Sequence, residues 1–361
     1  MNQIIKAGVD RGASDLHIKA GDAFRARIHG KLVALTKQAL TPDQTKQIAV
    51  HLMPDEDKPK IDSIKDYDCS WYADGIGRFR VNIMRQRGSF MIVMRVIPLE
   101  VPTFEKLQLP MIMARIAELE RGMILVTGVT GSGKSSTMAA MVNYMNQHSN
   151  RHILTLENPI EFLHKDINCA ITQREIGNDT SDFKQGLKSA LRQDPDVIMI
   201  GEMRDAETIE IALTAAETGH LVFSTLHTID AAKTVDRIVG SFDPGDQAAI
   251  RTRLAATFRY FISQRLIRKK EGGRLALLEI LKSTMRTREY VERGENEDHS
   301  LVDAMKDGAL DGMQHFDGEL ERLTREGVIT FTTAMLYATN AGNLRVQMAD
   351  VADDEQSLIT T

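Results

Sequence analysis

The stretch Gly128-Val129-Thr130-Gly131-Ser132-Gly133-Lys134-Ser135 constrains the fold of this chain more than any other. It has the spacing G-x-x-x-x-G-K-[ST] of a phosphate-binding loop. Such a loop works between a buried strand and a helix, and both flanks read that way. Met123 to Thr127 is a short apolar run that reads as a buried strand, and Met138, Met141, Val142 and Met145 recur at helical spacing. The glycines let backbone N–H groups close around phosphate oxygens, and the helix start turns its positive dipole end toward the anion. Lys134 would reach the β- and γ-phosphates, and the Ser135 hydroxyl would bind Mg²⁺, with Ser136 completing the cofactor-binding run from Gly128. ATP with Mg²⁺ is the expected ligand. A glycine-rich turn that binds nothing is the competing reading, and the three fixed positions with two correct flanks argue against it.

Around this loop the chain divides in two. Residues 1–97 read as a small mixed α/β domain, with strand-like alternation in Arg25 to Val33, Arg78 to Met84 and Phe90 to Ile97. Thr41-Pro42-Asp43-Gln44 carries a helix-start signature. Pro98, Pro102 and Pro110 punctuate residues 98–109 as a linker. From residue 110 to 361, strands alternate with helices, which implies a mostly parallel sheet. Candidate strands are Met123 to Thr127, His152 to Glu157, Val197 to Ile200, Leu221 to Thr225 and Leu275 to Leu281. Candidate helices begin at the phosphate loop and near Ser181-Asp182, Asp205, Asp230 and Asp246. The last of these reads as one long amphipathic helix from Asp246 to Ile267, and the region beyond Thr284 as charged and helical. The tail Asp350 to Glu355 reads as frayed.

Composition narrows the function. The 361 residues carry a formal net charge of −5 with mixed signs, which argues against a nucleic-acid coat. Two widely separated cysteines, Cys69 and Cys169, suit a reducing cytoplasm and make a disulfide framework or a cysteine-rich zinc site a poor fit. Met1 to Lys6 does not read as a signal peptide. No apolar run approaches the ~20 residues that span a bilayer, so membrane association is expected only through a partner or the surface.

Hydrolysis of a phosphoanhydride needs a metal, a positioned water and neutralised γ-phosphate charge. Asp194 to Glu202 reads as a buried strand ending in a glutamate, with Gly201 where many such ATPases carry Asp. Glu202 is thus the first candidate to polarise water or hold Mg²⁺ through water. Glu157 and Glu161 follow another strand to the same carboxyl edge, within reach of metal or water. His220 and His227 bracket the strand after Gly219 and could sense the γ-phosphate; an idle core or surface histidine is the commoner case. Arg78, Arg80 and Arg95 belong to an arginine-rich hairpin that could supply fingers, although most surface arginines only solubilise.

These residues together resemble a family. Ala13-Ser14-Asp15-Leu16-His17, the phosphate loop, Glu157 to Glu161, Gly201 to Asp205, Gly219 to Thr228 and Gly312 to Asp317 are similar to the secretion ATPase superfamily, and within it to PilT-type motors of type IV pilus retraction. The likeness runs from Ser14 to about Leu344. It implies a PAS-like N-terminal domain, a RecA-like ATPase domain and a cytoplasmic homohexamer. That ring would act through an inner-membrane platform protein, and so indirectly on pilin, with no nucleic acid and no transmembrane segment. It also implies that Glu161 is the acid of the family's Asp box, that Glu202 is the Walker B glutamate, and that His220 and His227 form the His box. Arg78, Arg80 and Arg95 fall in the family's arginine-bearing strands. Departures are Asn158 for Asp, Val129 for a loop proline, and Ser283 to Arg288 where an Ala-Ile-Arg-Asn motif should stand. An extension or secretion ATPase, or a weakly hydrolysing paralogue acting as a nucleotide-dependent switch, are the alternatives.

Overall fold

The computed structural model describes residues 1–28, 30–97, 100–296 and 300–351. The chain forms two compact units: Met1–Glu100 with Glu161–Leu163, and Val101–Ile160 with His164–Thr361.

The first unit is an antiparallel sheet under two helices, α1 (Asn2–Asp10) and α2 (Pro42–Leu52). Its strands are β1 (Ala13–Lys19), β2 (Arg25–Ile28), β3 (Lys31–Ala34), β4 (Asp66–Ala73), β5 (Gly77–Gln86) and β6 (Ser89–Ile97), in the order β3-β2-β1-β6-β5-β4. Thr41 and Gln44 form a reciprocal capping box that starts α2, as the sequence leads one to expect. One sheet face buries Leu16, Ile18, Phe79, Val81, Ile83 and Met94. The alternation of β5 then turns Arg78 and Arg80 to the other face. The stretch Arg25 to Val33, which reads as continuous alternation, contributes two strands rather than one: β2 and β3 pair as a hairpin.

The second unit is α/β. Its sheet runs β13-β12-β7-β11-β10-β8-β9. The strands are β7 (Gly122–Thr127), β8 (His152–Glu157), β9 (Ala170–Glu175), β10 (Val197–Ile200), β11 (Leu221–Leu226), β12 (Phe258–Arg268) and β13 (Arg274–Lys282). All neighbours pair in parallel except β13, which is antiparallel to β12. The helices are α3 (Phe104–Leu107), α4 (Ile112–Ala117), α5 (Lys134–His148), α6 (Phe183–Ala190), α7 (Ala206–Glu217), α8 (Ala231–Val239), α9 (Gln247–Thr257), α10 (Met285–Arg293) and α11 (Leu301–Asp307). Beyond them come α12 (Phe316–Arg325), α13 (Phe331–Tyr337) and α14 (Ala341–Gln347). Asp182, Asp205 and Asp230 each cap their helix by accepting a backbone N–H three residues on. Apolar side chains fill both faces of the parallel strands, which is why these strands read as unbroken apolar runs.

The long helix expected from Asp246 to Ile267 does not exist. The helix α9 ends at Thr257, and β12 begins at the next residue. Phe258 to Gln264 are buried with one partial exception, Arg259, so a strand covered on both faces lost the alternation that would have marked it. The expected frayed tail lies outside the described residues beyond Val351.

Candidate nucleotide site

Register brings four chain segments to one edge of the second unit's sheet. In its parallel strands, Thr127 pairs with Leu226 and Ile200 with Ser224, so the segments after β7, β10 and β11 leave from the same carboxyl edge. The antiparallel hairpin β12–β13 closes the side, with Ser263 opposite Thr127.

The loop after β7 is a closed cradle. Gly128 adopts φ +148°, and a Cβ there would fall 2.4 Å from the Gln264 carbonyl and 2.5 Å from Ser132 Oγ, so only glycine fits. Gly128 N–H donates to Leu226 O at 3.3 Å, which ties the cradle to β11. Lys134, buried at the first residue of α5, donates from Nζ to Gly128 O at 2.8 Å and to Val129 O at 3.1 Å. An ammonium folded onto its own loop carbonyls occupies the direction that a phosphate oxygen would satisfy. Ser132 Oγ is buried with no partner among the described residues, and it faces the same cradle. Ser135 and Ser136 are half-buried in the first turn of α5.

Sequence reasoning missed the residue that braces this loop. Gln264 of β12 is buried; its Nε2 donates to Ser132 O at 2.6 Å and its Oε1 accepts from Thr137 Oγ1 at 2.8 Å. One amide thus clamps the loop and the helix after it. The available signal was a glutamine inside an apolar strand, hidden while that strand read as a helix. A cleft of about 390 Å³ opens beside the loop, lined by Val129, Ile229, Arg265, Arg274 and Tyr337 among others.

Glu202 follows β10 and is largely shielded. Its Oε2 lies 2.7 Å from Arg204 Nε and 3.5 Å from His227 Nε2. Thr225 Oγ1 donates to Gly201 O at 2.6 Å, and Met203 N–H to Thr225 O at 3.2 Å, so the glutamate loop is sewn to the strand that carries His227. Glu202 and His227 therefore form one cluster. His220 stands at the other end of the six-residue β11, about 20 Å away by strand rise, where its Nδ1 contacts Ala215 O at 3.0 Å. Within one chain it is apart from Glu202 and His227.

Glu157 is buried, and its Oε1 accepts from Thr155 Oγ1 at 2.8 Å and from Gln173 Nε2 at 3.1 Å. Glu161 is exposed and belongs with the first unit. In that unit Arg80 pairs across strands with Arg95, and Arg95 pairs in turn with Asp15. Arg95 Nε lies 3.1 Å from Asp15 Oδ1, and Arg78 Nη2 donates to Ser70 Oγ at 3.4 Å. Among the described residues no cluster of three or more His, Cys, Asp and Glu could hold a metal alone.

Residues 1–275 match the family profile described as "Type II/IV secretion system protein". The chain is 41% identical over 330 residues to the type IV pilus retraction ATPase PilT of Pseudomonas aeruginosa, covering 91% of this chain and 95% of that protein. It is 37% identical over 349 residues to the type IV pilus ATPase PilU of the same organism, covering 96% and 90%. Its fold superposes on a crystal structure of the pilus retraction motor PilT with bound ADP at a TM-score of 0.87 and 39% identity, covering 94% of this chain and 97% of that one.

Proposed function

The chain belongs to the Type II/IV secretion system protein family, and from that premise we propose that it is an ATPase that powers type IV pilus retraction. The observation that carries the chemistry is the arrangement at one sheet edge: a phosphate cradle with its lysine turned inward, and a shielded glutamate beside a histidine.

On binding ATP, the loop amides from Gly128 to Ser135 take the phosphate oxygens, and Lys134 exchanges its own carbonyls for the β- and γ-phosphates. Gln264 keeps the loop in register. Glu202 accepts a proton from the water that attacks the γ-phosphorus, and ADP leaves with inorganic phosphate. His227 lies against Glu202 and relays the presence of the γ-phosphate to it. Hard oxygen donors suit Mg²⁺, and the Ser135 hydroxyl and the Glu202 carboxylate would hold it. When bound, that ion neutralises phosphate charge. The cleft beside the loop takes the nucleoside.

Arg78, Arg80 and Arg95 act as fingers in a homohexamer, and six coupled subunits work on an inner-membrane platform protein and through it on pilin. No helix among the described residues is long and apolar enough to cross a membrane, in keeping with a cytoplasmic ring held at the membrane by a partner.

Purified protein should release phosphate from Mg–ATP, and a strain lacking the gene should be piliated but unable to twitch. Bald cells would point to an extension motor instead. A second reading, a weakly hydrolysing paralogue acting as a nucleotide-dependent switch, is supported by the likeness to the type IV pilus ATPase PilU and by Ser283 to Arg288 in place of the retraction motif. It is favoured if deletion leaves twitching intact but weakened.

A further inference from the structure

The nucleotide chemistry leaves a buried acid of β13 unused. Glu279 of β13 is 4% exposed. It sits opposite Ser263 of β12, and Ser263 sits opposite Thr127, the last residue before the phosphate loop. Directly paired residues share a sheet face, so these three side chains form a polar row through an otherwise apolar wall. Thr127 Oγ1 is buried and has no partner among the described residues.

The carboxylate reaches out of the sheet. Its Oε1 accepts the backbone N–H of Ala231 at 2.9 Å. Ala231 is the first residue of α8, and it lies four positions beyond His227. The same turn is closed by two further bonds, Thr228 Oγ1 to Thr234 Oγ1 at 2.7 Å and Thr234 Oγ1 to Asp230 O at 2.7 Å. At its other end, the histidine loop is held by Gly128 N–H on Leu226 O. The four residues between these anchors, His227 to Asp230, are therefore strung between the phosphate cradle and Glu279.

We propose that Glu279 is a positioning residue for hydrolysis: by holding the Ala231 amide it fixes the far end of the histidine loop, and so keeps His227 against Glu202. A buried backbone N–H left without its acceptor is costly, so this hydrogen bond resists slippage of the loop. Loss of this tether leaves the cradle intact, since Lys134 and Gln264 do not depend on it. ATP binding and turnover should then separate.

This inference rests on the ATPase reading, and the test keeps the two apart. Steady-state phosphate release and the Kd of a fluorescent ATP analogue are measured for wild type, Glu279→Ala, Glu279→Gln and Ala231→Pro. The proline variant removes the donated N–H and sets its ring Cδ against the Glu279 oxygen, so it breaks this contact outright; proline is tolerated at a first helical position, and Asp230 before it is already extended. Glu279→Ala and Ala231→Pro should each lose kcat by tenfold or more with Kd within about threefold. Glu279→Gln, whose amide oxygen can still accept, should keep kcat within about threefold. The inference is overturned if Glu279→Ala turns over normally, if the glutamine variant is as poor as the alanine, or if kcat falls and Kd rises together by a similar factor. Should Glu279→Ala fail to fold, the proline and glutamine variants decide by the same criteria. Wild-type protein that hydrolyses no ATP would remove the ATPase reading itself and this inference with it.

Discussion

Arg204 Nε stands 2.7 Å from Glu202 Oε2, on the same carboxylate oxygen that faces His227. The arginine side chain is 75% exposed and the glutamate 16%, so a mobile surface cation caps a shielded acid. With its cation standing in solvent, this pair is screened and contributes at most about 1 kcal/mol. Glu202→Gln keeps shape and polarity but cannot accept the water's proton. Turnover should fall at least about 100-fold, while ATP affinity stays within about threefold. Phosphate release alongside nucleotide titration checks this, and normal hydrolysis by the variant would remove Glu202 from the base role.

Lys134 makes the opposite prediction. Its ammonium, already buried against Gly128 O and Val129 O, is the charge the phosphates would meet. Lys134→Ala should abolish the rise in melting temperature that Mg–ATP gives the wild type, because a ligand stabilises only in proportion to its affinity. The variant's own apo melting temperature is measured alongside, so that the loss of the ATP-induced shift is read apart from any change in basal stability. An undiminished ATP-induced shift would sink the cradle assignment.

The clash at Gly128 explains why the phosphate loop could be read without a structure. Its spacing and glycines are dictated locally, by backbone conformation and close approach. The strand β10 and the glutamate after it were equally plain, because an apolar run ending in a single acid is a local pattern. Gln264 and Glu279 were invisible for the converse reason. Their roles depend on β12 and β13 closing beside β7, and Phe258 to Gln264 carries no alternation to announce a strand, being covered on both faces. His220 and His227 look equivalent in sequence; only the length of β11 separates them. Arg78 and Arg80 were legible as one face of a strand, yet what they meet in an assembly is not encoded in their spacing.

Gln264 gives a third prediction. Its amide supplies both a donor to Ser132 O and an acceptor for Thr137 Oγ1, all inside the unit. Gln264→Ala leaves two buried polar groups without partners, at about 1–3 kcal/mol each. The melting temperature should drop, and KM for ATP should rise severalfold as the loop loosens. A Gln264→Glu variant keeps the acceptor and loses the donor to Ser132 O, so it should recover stability only in part. A variant with unchanged KM would show that the loop holds itself.

The last prediction concerns pH. Burial pushes the Glu279 carboxyl up to about 7, with Asp230 nearby acting in the same direction and the Ala231 N–H, Ser263 and Arg265 acting against it. An unfolded glutamate titrates near 4.5. The folded chain therefore holds this proton more tightly than the unfolded one between the two values. The sign follows: the folded state is favoured while the proton is on, and that advantage is lost as pH rises from about 4.5 through 7. A separation of this size corresponds to about 3 kcal/mol. Glutamine at this position carries no titrating proton and so cannot lose one. The melting temperature of Glu279→Gln relative to wild type should therefore improve between pH 5 and pH 8, whatever its value at pH 5. Titrating groups that do not interact with Glu279 affect both proteins alike and cancel in the difference. A difference that stays flat across that range, or that turns against the glutamine variant at high pH, would mean that the carboxyl is solvated and that the polar row behind the phosphate loop is open to water.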